Sequence, residues 1–493
     1  MTEITEFMES GIPGLDNILR GGLPRNQMYA IYGTSGSGKT TLSLQFLLRG
    51  VQMGERCLYI CTSETVNEIH RISLSHGWLL EGLNIIHLSM PLGERSGPGQ
   101  TMFYSVEVEL PQIVEKLTSS ISDYDPQRVV IDSLSEIRLL ARQESWYQRQ
   151  LLILKDFLVP RTCTVLLTDT FEEESNVLKT IVHGAIEMSR TYPLYGPERR
   201  RLRIEKLRGH EFISGYHDYA IVKGGVKVFP RLISSEHRRK YSKEAVGSGV
   251  VELDRLLGGG LDRGTCTLLQ GASGTGKSAL ASQFAISAAQ RNERSMIFCF
   301  DERISTFIQR AEGLGMDIQT YLAGGLITIS QIDPAELSAG EFSSNVIDTV
   351  IDRDISLIVI DSLNGYAYAL PDERFLSVHL HELASFLNVQ GVVTLFTMSQ
   401  QSVFGLNVAP SPFNVSYVAD TVLNIGYFEH QGTVHKALSV LKRRNGNHER
   451  TIRELTMDSG GIHVGPVLQE FEGIATGNPR YIGSKFEDLK GKS

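Results

Sequence analysis

The chain has 493 residues, 41% apolar and 21% charged, enough for two to four domains that each bury a full core. Its net charge of −8 argues against a non-specific nucleic-acid binder, which meets phosphates with an excess of Lys and Arg. The five cysteines form no C-x-x-C pair and read as buried free thiols in a reducing cytoplasm. No apolar run approaches the ~18 residues of a membrane span.

In chain order, the first landmark is Gly11-Ile12-Pro13-Gly14-Leu15-Asp16, followed by Leu19 and Gly21-Gly22-Leu23. A strand over 28–32 then enters Gly33-Thr34-Ser35-Gly36-Ser37-Gly38-Lys39-Thr40, which matches the P-loop G-x-x-x-x-G-K-[ST]. A helix over 42–50 leaves it, with Thr41 in its first turn. Further strands are expected at 58–61, 129–131 and 165–168, with a helix over 146–158 between the last two. The third reads Val129-Val130-Ile131-Asp132-Ser133-Leu134, apolar on both faces as a buried parallel strand should be. Lys206-Leu207-Arg208-Gly209 comes late in the unit.

After a polar stretch over 233–248, the best linker candidate, the series repeats. Gly249 to Asp254, Leu257 and Gly259-Gly260-Leu261 echo the lead-in. A strand over 265–270 enters Gly271-Ala272-Ser273-Gly274-Thr275-Gly276-Lys277-Ser278, and a helix from Ala279 to 290 follows. Strands are expected at 296–300, 357–360 and 392–396, and a helix over 375–387. Ile358-Val359-Ile360-Asp361-Ser362-Leu363 and Lys442-Arg443-Arg444-Asn445 complete the copy. Lys39 and Lys277 lie 238 positions apart, as do Asp16 and Asp254; Asp132 and Asp361 lie 229 apart. Ordered landmarks at nearly one offset are the mark of a duplication. Strand–helix alternation implies an α/β fold: two tandem P-loop NTPase domains, each a mostly parallel sheet with helices on both faces. The boundaries are 1–236 and 245–470, with a short tail over 471–493.

In each P-loop, backbone N–H groups and a helix N-terminus, with Thr41 and Ala279 counted among the ATP-binding residues, cradle the phosphates of ATP. Lys39 and Lys277 reach toward the terminal phosphates, and Thr40 and Ser278 offer hydroxyls to Mg²⁺. Asp132 and Asp361, ending apolar strands, are the expected Mg²⁺ carboxylates. Acidic residues just past the second strand are placed to orient or deprotonate a nucleophile: Glu64 in the first half, Asp301 and Glu302 in the second. Ser63 stands where the second half has Asp301. Lys206, Arg208, Lys442 and Arg444 have the alternate spacing that points strand side chains one way, and cations of this kind can act on a neighbour's ATP. The run Arg199-Arg200-Arg201 reads as a solvated face or a subunit interface.

These motifs, over nearly the whole chain, resemble the KaiC family, tandem RecA-like ATPases of the cyanobacterial clock and other prokaryotes. The resemblance implies a double-ring homohexamer with ATP at subunit interfaces. It also implies slow ATP hydrolysis in the N-terminal ring, and kinase and phosphatase activity toward its own residues in the C-terminal ring. It maps the family's tandem acidic pair onto Ser63-Glu64 and Asp301-Glu302, and its trans-acting cations onto Lys206, Arg208, Lys442 and Arg444. The first acidic residue of each pair, usually Glu and the one the family credits as general base, is Ser63 in one half and Asp301 in the other, so that Glu64 is the substitute in the first half. The family's Ser-Thr phosphoacceptor pair falls at Ser416-Tyr417, which leaves Ser416 as the phosphoacceptor candidate. A KaiB-like partner is within what the family implies. The tail after Ile482 is shorter than the extension that recruits a KaiA-like activator, which argues against that partner. The competing readings are a RecA-like DNA-dependent ATPase and an ATP-dependent hexameric scaffold with little turnover.

Overall fold

The computed structural model describes residues 6–88, 106–141, 143–170, 177–192, 196–234, 239–367, 373–400, 417–475 and 479–482. Ser416 lies outside the described residues. The chain divides into two compact units, Met1–Arg231 and Leu232–Ser493.

The first unit is built on nine strands: β1 Met28–Gly33, β2 Cys57–Cys61, β3 Leu83–His87, β4 Arg128–Asp132, β5 Thr164–Thr170, β6 Gly184–Thr191, β7 Arg199–Leu207, β8 His217–Val222 and β9 Gly225–Phe229. They form one sheet in the order β9-β8-β7-β6-β1-β5-β4-β2-β3. The six from β6 to β3 run parallel, and β7, β8 and β9 extend the sheet as antiparallel strands. The second unit repeats this with β10 Cys266–Gly271, β11 Arg294–Cys299, β12 Ile327–Gln331, β13 Ile355–Asp361, β14 Val393–Ser399, β15 Thr421–His430, β16 Thr433–Arg443, β17 Arg453–Asp458 and β18 Gly461–Val467. Their order is β12-β11-β13-β14-β10-β15-β16-β17-β18.

The central strands are apolar throughout because helices cover both faces. In the second unit, Leu269, Ile297, Val359 and Leu395 pack against Leu280 and Phe284 of helix Lys277–Gln290. Their neighbours Leu268, Phe298, Ile358 and Phe396 face Phe342 and Phe386 on the other side. In both units two other strands lie between the P-loop strand and the strand that follows the P-loop helix. The crevice at the carboxyl ends of the strands, where such folds bind ligands, therefore opens beside the P-loop.

The repeated Asp of the lead-ins has a structural explanation. Asp16 accepts the backbone N–H of Ser10 at 2.9 Å and Asp254 that of Ser248 at 2.7 Å, closing the turn before each unit's first helix. Residues 239–248 of the polar stretch are anchored within the second unit. Leu232 is buried in its core, the Arg239 N–H donates to the Val389 carbonyl, and Ala245–Val246 pairs with Leu261–Asp262. Phe471–Glu472 pairs with Arg480–Tyr481, so the start of the 471–493 segment is also packed. The five cysteines are buried and unpaired. No helix among the described residues is long and apolar enough to cross a membrane.

Candidate nucleotide site

In each unit a fully buried strand delivers the chain to a tight turn and straight into a helix. The turn needs residues in the left-handed region, and glycine supplies them: Gly38 has φ 95° and Gly276 φ 104°, each capping the helix that begins on the P-loop lysine. Lys39 Nζ donates to the carbonyls of Gly33 (2.8 Å) and Thr34 (3.1 Å), and Lys277 Nζ to Gly271 (3.0 Å) and Ala272 (2.8 Å). Both ammoniums thus arch back over the loop. Burial lowers the pKa of Lys39 and brings that of Lys277 down to about 8. Thr41 and Ala279 are buried in the first helical turn and secure it to the sheet.

Asp132 ends β4 beside the P-loop. Its Oδ2 accepts hydrogen bonds from Thr40 Oγ1 at 2.7 Å and Tyr59 OH at 2.6 Å, and its Oδ1 accepts from Thr168. Asp361 ends β13 in the same way, takes a hydrogen bond from Thr397, and lines one cavity with Ser278. A buried carboxylate with an adjacent hydroxyl is a hard-oxygen donor set. It suits Mg²⁺, which binds through one or two carboxylates and substrate phosphates rather than an all-protein cage. Among the described residues no cluster of three His, Cys, Asp or Glu forms such a cage.

The two units part company beyond the P-loops. Glu64 is half-buried behind the loop, and its Oε2 has no hydrogen-bond partner among the described residues. Burial and then the charge of Asp132 push its carboxyl up to about 7, against the pull of Lys39. Ser63 Oγ lies 3.5 Å from Ser133 Oγ. In the second unit Asp301 accepts from Ser362 Oγ, and Glu302 is held by Arg310 at 2.7 Å. Burial raises the Glu302 carboxyl while Arg310 opposes the rise.

Lys206 and Arg208 lie away from their own P-loop. Lys206 sits beside Ala185, which pairs with Ala30, and the Arg208 N–H bonds to His183, whose own N–H bonds to Met28 at the start of β1. Three residues of strand separate Ala30 from Gly33, about 10 Å. Lys206 Nζ donates to the Val182 carbonyl at 2.8 Å and Arg208 to that of Thr180 at 2.9 Å. Lys442 and Arg444 repeat the placement: Lys442 beside Val422, and Arg444 on Asp420 at 3.0 Å. Both pairs therefore lie toward the end of the P-loop strand opposite the loop. In the arginine run, Arg200 is paired with Glu198 and Arg201 with Asp218 at 3.1 Å.

The P-loop family that these motifs define can now be placed. A family profile described as "ATPase: KaiC" matches residues 8–233 and again 246–469. The chain belongs to the KaiC family. Its two nine-stranded sheets are the tandem RecA-like units of that family. Relatives extend over the full length. The "Circadian clock protein KaiC3" of Synechocystis is 27% identical, covering 99% of this chain and 98% of its own. The "Circadian clock oscillator protein KaiC" of Synechococcus elongatus is 29% identical over 96% of this chain and 92% of its own. That of Acaryochloris marina is 28% identical over 100% and 96%.

Sequence reasoning missed four participants: Tyr59, Thr168, Thr397 and Arg310. The threonines were findable, because they lie 229 positions apart, as Asp132 and Asp361 do. Tyr59 and Arg310 have no echo, since Ile297 and Ile72 stand at their counterparts.

Proposed function

We propose that the first unit hydrolyses ATP, with Glu64 as the base that activates water. The second unit binds ATP more passively and transfers its γ-phosphoryl group to the chain's own Ser416. The observation that carries the hydrolytic reading is the unpartnered Oε2 of Glu64, held close to Lys39 and Asp132 with its carboxyl near neutral. A general base works best when its pKa lies near the operating pH.

In this reading the P-loop N–H groups and Lys39 hold the phosphates. Thr40 and Asp132 would hold Mg²⁺, which would supply neutralising positive charge for the phosphates. The oxygen of water bonds to the γ-phosphorus as the bond to the β–γ bridging oxygen breaks. ADP leaves with that electron pair, and the proton of water passes to Glu64 and on to solvent. Lys206 and Arg208 face the wrong way to serve their own unit, which supports their action on a neighbouring copy. A hexamer with ATP between copies satisfies that requirement. The printed names of the relatives favour a role in timing or a related signalling function, with a KaiB-like protein as partner.

Phosphate release from wild type, Glu64→Gln and Glu302→Gln tests the assignment. Glu64→Gln is expected to remove most turnover, by about 100-fold or more on the scale of a general base, and Glu302→Gln little of it. No turnover in wild type would instead favour the scaffold. Phosphopeptide mapping after incubation with ATP and Mg²⁺ tests the second half, and an unlabelled Ser416 while ATP is consumed refutes the autokinase.

A further inference from the structure

The second P-loop borders a cavity of about 290 Å³ lined by Lys277, Ser278, Asp301, Glu302, Arg310 and Asp361, among others. Arg310 belongs to helix Ile304–Gly313, two turns beyond Glu302. One guanidinium nitrogen reaches both carboxylate oxygens of Glu302, at 2.7 and 2.8 Å. The guanidinium carbon lies 4.9 Å from the centre of the fully buried Phe307 ring, which fixes its height over the helix. Its other terminal nitrogen is buried with no hydrogen-bond partner among the described residues. An arginine held with an unsatisfied buried N–H gives up stability for its position.

The first unit has none of this. Helix Val66–His76 is the counterpart, and Ile72 stands where Arg310 does. Both acidic side chains after the second strand are therefore occupied in the second unit, Asp301 by Ser362 and Glu302 by Arg310. In the first unit one is replaced by Ser63 and the other, Glu64, is left with an open oxygen. A carboxylate whose two oxygens both accept from one guanidinium nitrogen has its best lone pairs turned toward that partner and away from a water at the γ-phosphate. It is a poor acceptor for the proton of an attacking water.

We propose that Arg310 is a positioning residue that holds Glu302 out of the proton-accepting role and so limits hydrolysis at the second site, keeping ATP there for slower use. When the pair opens, Glu302 can take the proton of water as the γ-phosphorus is attacked and ADP departs, as Glu64 does in the first unit. The inference rests on the reading of Glu64 and Glu302 as equivalent.

The test is steady-state ATP turnover by the full-length Glu64→Gln protein, alone and with Arg310→Ile, Arg310→Lys, or Arg310→Ile combined with Glu302→Gln. Arg310→Ile is expected to raise kcat at least about tenfold, a fraction of what a general base contributes, with KM for ATP within about twofold. Arg310→Lys, which keeps the charge but not the planar fork, should raise kcat less than Arg310→Ile, and Glu302→Gln should cancel the gain. A kcat that stays level or falls in Arg310→Ile, or a gain that survives Glu302→Gln, overturns the proposal. Ile72→Arg in an otherwise wild-type chain gives an independent reading, since it should lower turnover by the first unit; an unchanged rate counts against the proposal. Failure of the Glu64 assignment would show separately, as wild-type turnover in the Glu64→Gln parent.

Discussion

Replacing Glu55 by Ala should destabilise the first unit selectively. Arg128 is completely buried at the start of β4. Its Nε donates to Glu55, one terminal nitrogen donates to the carbonyls of Glu9 (2.7 Å) and Phe46 (2.9 Å), and its guanidinium lies 4.6 Å from the Phe46 ring centre. Glu55, itself only 9% exposed, is the carboxylate of this arrangement and also meets Arg25 at 3.1 Å. Removing it leaves a buried guanidinium without its counter-charge, at a cost of about 3–5 kcal/mol. For a unit of this size each kcal/mol is worth roughly 2–4 °C, so the loss is about 6–20 °C. The assay is built in, because both tryptophans, Trp78 and Trp146, lie in the first unit and intrinsic fluorescence reports it alone. The second unit meets the same position differently. Leu357 stands in place of Arg128, and Ala288 in place of Gly50, where a Cβ would fall 2.5 Å from the Arg128 side chain. The double change Glu55→Ala, Arg128→Leu should therefore recover most of the lost stability; Gly50 is kept, because a Cβ there would also fall 2.5 Å from Cys57 Sγ. A shift below about 2 °C in Glu55→Ala, well under the range above, would refute the reasoning, as would a double variant no better than the single.

Three further outcomes are expected. His217 is buried, with Nδ1 accepting the Arg231 N–H at 2.8 Å and Nε2 donating to the Ile213 carbonyl at 3.0 Å. It is held neutral, and burial lowers its pKa. Its contribution is complete above the unfolded value near ~6.5 and is lost as pH falls below it, by up to about 1.4 kcal/mol per unit. Fluorescence-detected melting at pH 7.5 and 5.5 should show this fall, and His217→Gln should flatten it. Gly14→Ala should cost at least about 2 kcal/mol, because Gly14 has φ +83° and a Cβ there would lie 2.0 Å from the Val228 carbonyl oxygen; urea titration of the same signal measures it. Tyr59→Phe removes a 2.6 Å donor from the buried Asp132 carboxylate, and should cost about 1.5–3 kcal/mol in that titration.

The features legible in the sequence are those in which backbone does the work. A P-loop must have glycine where Gly38 and Gly276 take positive φ, and a buried parallel strand must be apolar on both faces, so the cradles, β4 and β13 announce themselves. Side-chain partnerships were not legible, because they depend on which helix face meets which strand end. Arg310 reads as one more charge on an amphipathic helix until the fold brings it to Glu302. Nor does the polarity around Tyr241 reveal its packing: it lies against Gly264 and Gly391, two positions without side chains that make room for its ring. Lys206 and Arg208 were found by spacing, but their distance from the P-loop follows only from strand register.

That distance has a consequence for mixed populations. Each copy carries its phosphate cradle at one end of the sheet and its paired cations at the other, so if the cations serve a neighbour, giver and receiver are different faces of one chain. Contacts of this polarity are heterologous: they close into a circle or run on without limit. If the cations serve a neighbour, chains lacking Lys206 and chains lacking Lys39 are each inactive in the first unit alone yet complementary together. Blended, they restore some junctions in which an intact cradle meets an intact cation, and activity returns in proportion to the odds of that meeting.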